Sequence, residues 1–166
     1  MFFNQPSKLY NDKLEQATIL YGLVNPFTET IDAHNHIMHL EKKATKQTDD
    51  EALKLLYIFS SILKIDNSLN RLKKIQDDFI NYDIETQIPA TLICSASPYE
   101  TDSATALSLV TEQNNILKQQ GIKKNLRMLT LIASLYEPDA EQVCLSKTLL
   151  DIQKLFNLSK NQTNQK

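Results

Sequence analysis

Apolar residues recur at helical spacing along nearly the whole chain, and the period-two alternation of half-buried strands is not found. Four strongly apolar segments lie near 12–24, 51–64, 88–97 and 125–136. Each is followed by a more charged, amphipathic one, near 28–44, 68–82, 103–120 and 141–156. Breaks between them carry turn and cap residues. "NPFTET" offers Thr28 as a cap, "KIDNSL" offers Asp66 or Asn67, "SPYETDSAT" supplies Pro98 with Thr101 or Ser103, and "YEPDAE" supplies Pro138 and Asp139. Gly121, after "NNILKQQ", reads as a helix C-cap.

The expected fold is therefore all-α, with about eight helices in four antiparallel hairpins covering 12–44, 51–82, 88–120 and 125–156. One helical domain spans 1–157, and the polar end 158–166 is expected to be a disordered tail. The apolar segments share a pattern of two or three apolar residues followed by a small one. Aligning the small residues pairs Ser60 with Ser95 and Ser134, at offsets of 35 and 39, and Gly22 falls 38 residues before Ser60. A period in the high thirties with one hairpin per unit is the size class of helical solenoids. A compact bundle gives similar spacing, because helices and loops have typical lengths. Both arrangements, α-solenoid-like repeats and compact bundle, fit the pattern.

The segment "GIKKNLRMLTLIASLY" (121–136) resembles the opening helix of an uncharacterised family of bacterial all-helical, repeat-like proteins, in which a basic stretch precedes a similar apolar segment. That family alternates such helices with charged ones. Here the segment lies near the C-terminus instead of the start, and the chain is shorter. The resemblance implies a helical-repeat fold and carries no catalytic residues to this chain.

Composition narrows the function. A chain of 166 residues with 42% hydrophobic and 23% charged residues is globular in composition. Its net charge of −2 supplies no basic field for nucleic acid or anionic lipid. The start "MFFNQPSKLY" lacks the n-region of a secretory signal, and the apolar run at 53–65 falls short of the roughly 20 residues of a bilayer span. A cytoplasmic protein with no membrane association is expected. With only two glycines, Gly22 and Gly121, there is no phosphate-cradling loop or dinucleotide fingerprint. The hydrolase elbow, C-x-x-C pairs and H-E-x-x-H are likewise missing, which points away from the recognisable enzyme classes.

Two constellations remain. All three histidines fall in "DAHNHIMHLE" (32–41). At 100° per residue His36 lies about 40° and His39 about −20° from Asp32, whereas His34 points away at about 200°. Asp32, His36 and His39 thus share the border of the buried stripe, at a spacing that suits a divalent metal, with a fourth ligand to come from Glu29, Glu51 or water. The bland alternative is a solvated border with an Asp32–His36 pair. No other cofactor is implied. The second constellation is aromatic: a groove formed by the tips of Tyr21, Tyr57 and Tyr136 would suit a peptide, though core packing also explains them.

The lysine pairs Lys42-Lys43, Lys73-Lys74 and Lys123-Lys124, with Arg71 and Arg127, are interleaved with acids and read as solvated faces, so nucleic acid is not expected. Cys94 and Cys144 read as buried structural thiols. The leading expectation is a non-catalytic helical scaffold that binds a protein or peptide. The alternative is a small metal-binding protein or metal-dependent hydrolase built on Asp32, His36 and His39. Terminal units without polar caps would favour a homo-oligomer.

Overall fold

The computed structural model describes residues 7–96 and 101–164, with side chains described as far as Asn157. The chain folds into α1 (Lys8–Val24), α2 (Thr30–Thr45), α3 (Glu51–Leu63), α4 (Leu69–Gln76, continued by a short 3₁₀ turn Asp77–Phe79), α5 (Ile84–Ala96), α6 (Ser103–Gln119), α7 (Lys124–Tyr136) and α8 (Gln142–Asn164). Among the described residues there is no strand, and no helix is long and apolar enough to cross a membrane. The expected cap at Pro98 lies outside the described residues, as do the last two residues of the expected tail. The backbone of α8 runs through Asn164.

Local signals set most helix ends. Asp50 caps α3 by accepting the N–H of Leu53, and Asp102, in place of the expected Thr101 or Ser103, caps α6 by accepting the N–H of Thr105. Gly121, with φ of 79°, closes α6 in a Schellman motif: Ile122 N–H bonds to Leu117 C=O and Gly121 N–H to Lys118 C=O. Elsewhere the reading shifts by a few residues. Ser7 starts α1 earlier than expected by accepting the N–H of Tyr10. Glu29 takes the cap position of α2, while the Thr28 hydroxyl turns back to Asn25 C=O. Ser68 begins α4, and the Asp66 carboxylate accepts its N–H. Asp83 starts α5 four residues before the expected position by accepting the N–H of Thr86, so Pro89 sits inside the helix and leaves Glu85 C=O without its i+4 donor.

The packing order explains why the apolar and amphipathic segments alternate. Along an inner ring, α1 packs on α3, α3 on α5, α5 on α7, and α7 back on α1. Each even helix lies outside and bridges two inner ones: α2 over α1 and α3, α4 over α3 and α5, α6 over α5 and α7, and α8 over α7 and α1. Inner helices therefore bury residues on several faces, as α3 does with Leu53, Leu55, Leu56, Ile58, Phe59 and Ile62. Outer helices bury one stripe, as α2 does with Ala33, Ile37, Leu40 and Ala44. An open solenoid would keep its first and last units apart. Here α1 meets both helices of the last hairpin, so the four hairpins close on themselves as a compact bundle.

Closure depends on two features. Gly22 on α1 faces α8 so closely that a Cβ there would lie 3.0 Å from Phe156 Cζ and 3.1 Å from Ile152 Cγ2. At the other end of the ring, Lys13 is fully buried, with 0% side-chain exposure. Its ammonium donates to Glu85 Oε1 of α5 at 3.0 Å and to Asn125 Oδ1 of α7 at 3.3 Å. Nearby, Ser7 donates from its N–H and hydroxyl to the Glu51 carboxylate, at 3.1 and 2.8 Å, joining the starts of α1 and α3. The N-terminal ends of all four inner helices are thereby tied together by polar contacts.

The Lys13 contact gives an asymmetric expectation. Glu85→Ala strands a buried ammonium and should cost about 3–5 kcal/mol. Lys13→Met should cost about 1 kcal/mol or less, because Glu85 is 15% exposed and Lys124 Nζ stands 3.9 Å from it. Urea denaturation of both variants measures this, and equal losses would sink the assignment. Gly22→Ala tests the other contact by a change of sign. In the natural chain it should destabilise by about 1 kcal/mol through overpacking. In an Ile152→Ala, Phe156→Ala background, which removes both close contacts, it should stabilise by about 0.5–1 kcal/mol, the helix-propensity gain over glycine.

Candidate functional site

The histidine cluster does not assemble as a ligand set. The His36 ring stacks on Tyr21, with centroids 4.3 Å apart and planes inclined by 11°. Asp32 and His39 are exposed on either side of it. Among the described residues no group of three or more His, Cys, Asp or Glu side chains is placed to hold a metal ion. The wheel places the three residues on one border, but the imidazole at its centre is laid flat against an aromatic ring of α1. Burial lowers the His36 pKa from its ordinary value, and the neighbouring His39 and Lys43 push in the same direction.

The tyrosines do not share a groove either. Tyr57 is 9% exposed and belongs to the main core, Tyr21 is covered by His36, and Tyr136 stands exposed at the end of α7. Several of the basic residues are used within the fold. Arg71 donates to Ser95 Oγ and C=O, Arg127 to Asn114 Oδ1 and Ile122 C=O, and Lys73 pairs with Asp77. Cys94 is buried, which raises its thiol pKa, with Asp78 and Asp102 adding to the effect. Cys144 is exposed, contrary to expectation. It lies off the α8 stripe formed by Leu145, Leu149 and Phe156.

A different site emerges where the last hairpin meets the first. A groove of about 1240 Å³ runs over α1 between α2 and α8. Its floor is Thr18, Ile19, Gly22 and Leu23 of α1. One wall is Ile31 and His34 of α2 with Pro26 and Phe27 of the preceding loop. The other is Cys144, Thr148, Ile152, Leu155 and Phe156 of α8. The small residue at Gly22 draws Ile152 and Phe156 down onto the floor, while the outer helices stand proud on each side.

Its rims are apolar and open. Phe27 is fully exposed, Ile31 is 64% exposed and Leu155 59%. Phe27 also holds φ of 74°, a left-handed conformation that costs a residue bearing a Cβ about 1–2 kcal/mol. A strained backbone that presents an aromatic ring to solvent is a poor choice for stability alone. The polar groups of the groove are dispersed around it. Cys144 Sγ has Glu141 Oε2 at 3.8 Å, and His34 lies on the facing wall.

Sequence reasoning missed this site because its parts are distant in the chain. The available signal was weak: Ile31 and Leu155 are large apolar residues lying off the buried stripes of their helices. No family model, no curated protein and no solved structure matches this chain.

The stacked histidine carries a pH expectation. Because the folded state lowers the His36 pKa, it binds the proton less well than the unfolded chain does. The contribution of His36 to stability is present in full above the unfolded value of about 6.5 and falls as pH drops through it towards the folded value. Relative to His36→Phe, the natural chain should therefore lose urea midpoint as pH falls from about 7.5 to about 5.5. A constant difference would show that the ring is not desolvated by Tyr21.

Proposed function

We propose that this chain is a non-catalytic helical scaffold that binds a segment of a partner protein in the groove between α2 and α8. The observation that carries the reading is the open apolar trough, with Phe27, Ile31 and Leu155 exposed along its rims. Clustered large apolar side chains at a surface groove lose free energy to water until they are covered. The groove-lining part of α8, Cys144 to Asn157, extends for roughly 20 Å at 1.5 Å per residue, a length that suits a polypeptide segment. The free thiols Cys94 and Cys144 fit a cytoplasmic setting.

Strain at Phe27 supplies a discriminating experiment. Phe27→Gly should raise stability by about 0.5–1 kcal/mol, since glycine adopts this conformation freely. The same change should weaken partner binding, because it removes the rim aromatic. Binders selected from a display library of helical peptides, balanced in charge, should lose affinity for Phe27→Gly and for Ile31→Asp. Those two residues are exposed, so neither change disturbs the core. Failure to select binders, or binders indifferent to both substitutions, would remove the groove from consideration.

A further inference from the structure

The chemistry of the groove narrows its occupant, on the reading that the groove is a binding site. Its floor and much of both walls are helical, and among the described residues they offer no strand edge. An extended peptide laid in an apolar trough would bury N–H and C=O groups without partners, whereas a helix satisfies its own. The acidic groups that line the groove are Glu29 at the start of α2, Glu137 after α7 and Glu15 on α1, and among the described residues no lysine or arginine lines it. On α8, Lys147 and Lys154 lie on the outward side, away from the stripe of Leu145, Leu149 and Phe156.

We infer that the groove takes a basic amphipathic helix from a partner protein. Its apolar stripe lies on Ile19, Leu23 and Ile152, and its bordering Lys or Arg residues face Glu29 and Glu137. The long stems of such cations would cover the exposed rings and methyls of Phe27 and Ile31 while their charged ends reach the carboxylates. Apolar contact gives affinity in this arrangement, and the acidic rim selects the sign of the partner.

The test uses the full chain and two fluorescent peptides of about 16 residues with the same leucine stripe at helical spacing. One has lysines bordering the stripe and the other has glutamates. Anisotropy titrations should show the lysine peptide binding about tenfold more tightly at low salt, with the gap narrowing at about 0.15 M. Glu29→Lys combined with Glu137→Lys should reverse the preference. Ile31→Asp should abolish binding of the lysine peptide even though it adds negative charge, which separates groove binding from general attraction to an acidic protein.

Equal affinity for both peptides, lost in each case with Ile31→Asp, overturns the basic-helix inference and leaves the groove reading standing. Binding of neither peptide, or binding indifferent to Ile31→Asp, overturns both. A self-association that Ile31→Asp abolishes and the lysine peptide does not compete with assigns the groove to a second copy of the chain. That outcome also overturns the inference.

Discussion

The absence of one methyl group at Gly22 sets how closely the two ends of this chain approach. Ile152 and Phe156 occupy the space a side chain would need, and through them α8 rests on α1. The same small position recurs in the inner helices. Ser95 of α5 receives Arg71 from α4, the outer helix that precedes it in the chain. Ser60 of α3 is fully buried, with no hydrogen-bond partner for its hydroxyl among the described residues, so its size is what the packing uses. Gly22 receives α8, the outer helix of the last hairpin, by close packing, and with that contact the row of hairpins closes into a ring.

Lys13 acts at the opposite end of α1. A lysine with no exposed surface is costly unless its charge and hydrogen bonds are met, and Glu85 and Asn125 meet them from two other inner helices. Apolar packing tolerates sliding and rotation, but this contact fixes which residue of α1 stands opposite the starts of α5 and α7. Specificity of register is its main contribution. Closer to the rim, the buried hydroxyl pair of Thr130 and Ser146, 2.9 Å apart, does the same for α7 and α8.

Much of this architecture was legible because it is local. Helices α3, α6 and α7 follow from apolar periodicity, with Gly121 as a local stop; the caps Asp50 and Asp102 act just as locally, although Thr101 or Ser103 was the expected cap of α6. The start of α5 was misplaced because the continuous apolar run begins at Ile88, while the Asp83 cap and the burial of Gln87 start the helix further upstream. The histidine wheel separates His34 from His36 correctly, but Tyr21, which decides the role of His36, is on another helix. Lys13 shares the stripe of Ala17, Leu20 and Val24, so its burial was hinted at by spacing, though not its partners. The groove was not legible, because its floor and far wall come from opposite ends of the chain.

The position of the groove has a covalent reason. Between hairpins, short loops tie α2 to α3, α4 to α5, and α6 to α7, so each outer helix is tethered to the next inner one. The remaining junction, α8 against α1, has no such link, and Ile152 and Phe156 pack there on Gly22. At a tethered junction the loop fixes how closely the outer helix approaches. At the untethered one, side-chain size decides it, and there Gly22 admits Ile152 and Phe156 while Ile31, Leu155 and Phe27 stay above the surface. An apolar surface that closing the ring leaves uncovered is available to another molecule. The carboxylates of Glu29 and Glu137 at its edges then bias which molecule that is.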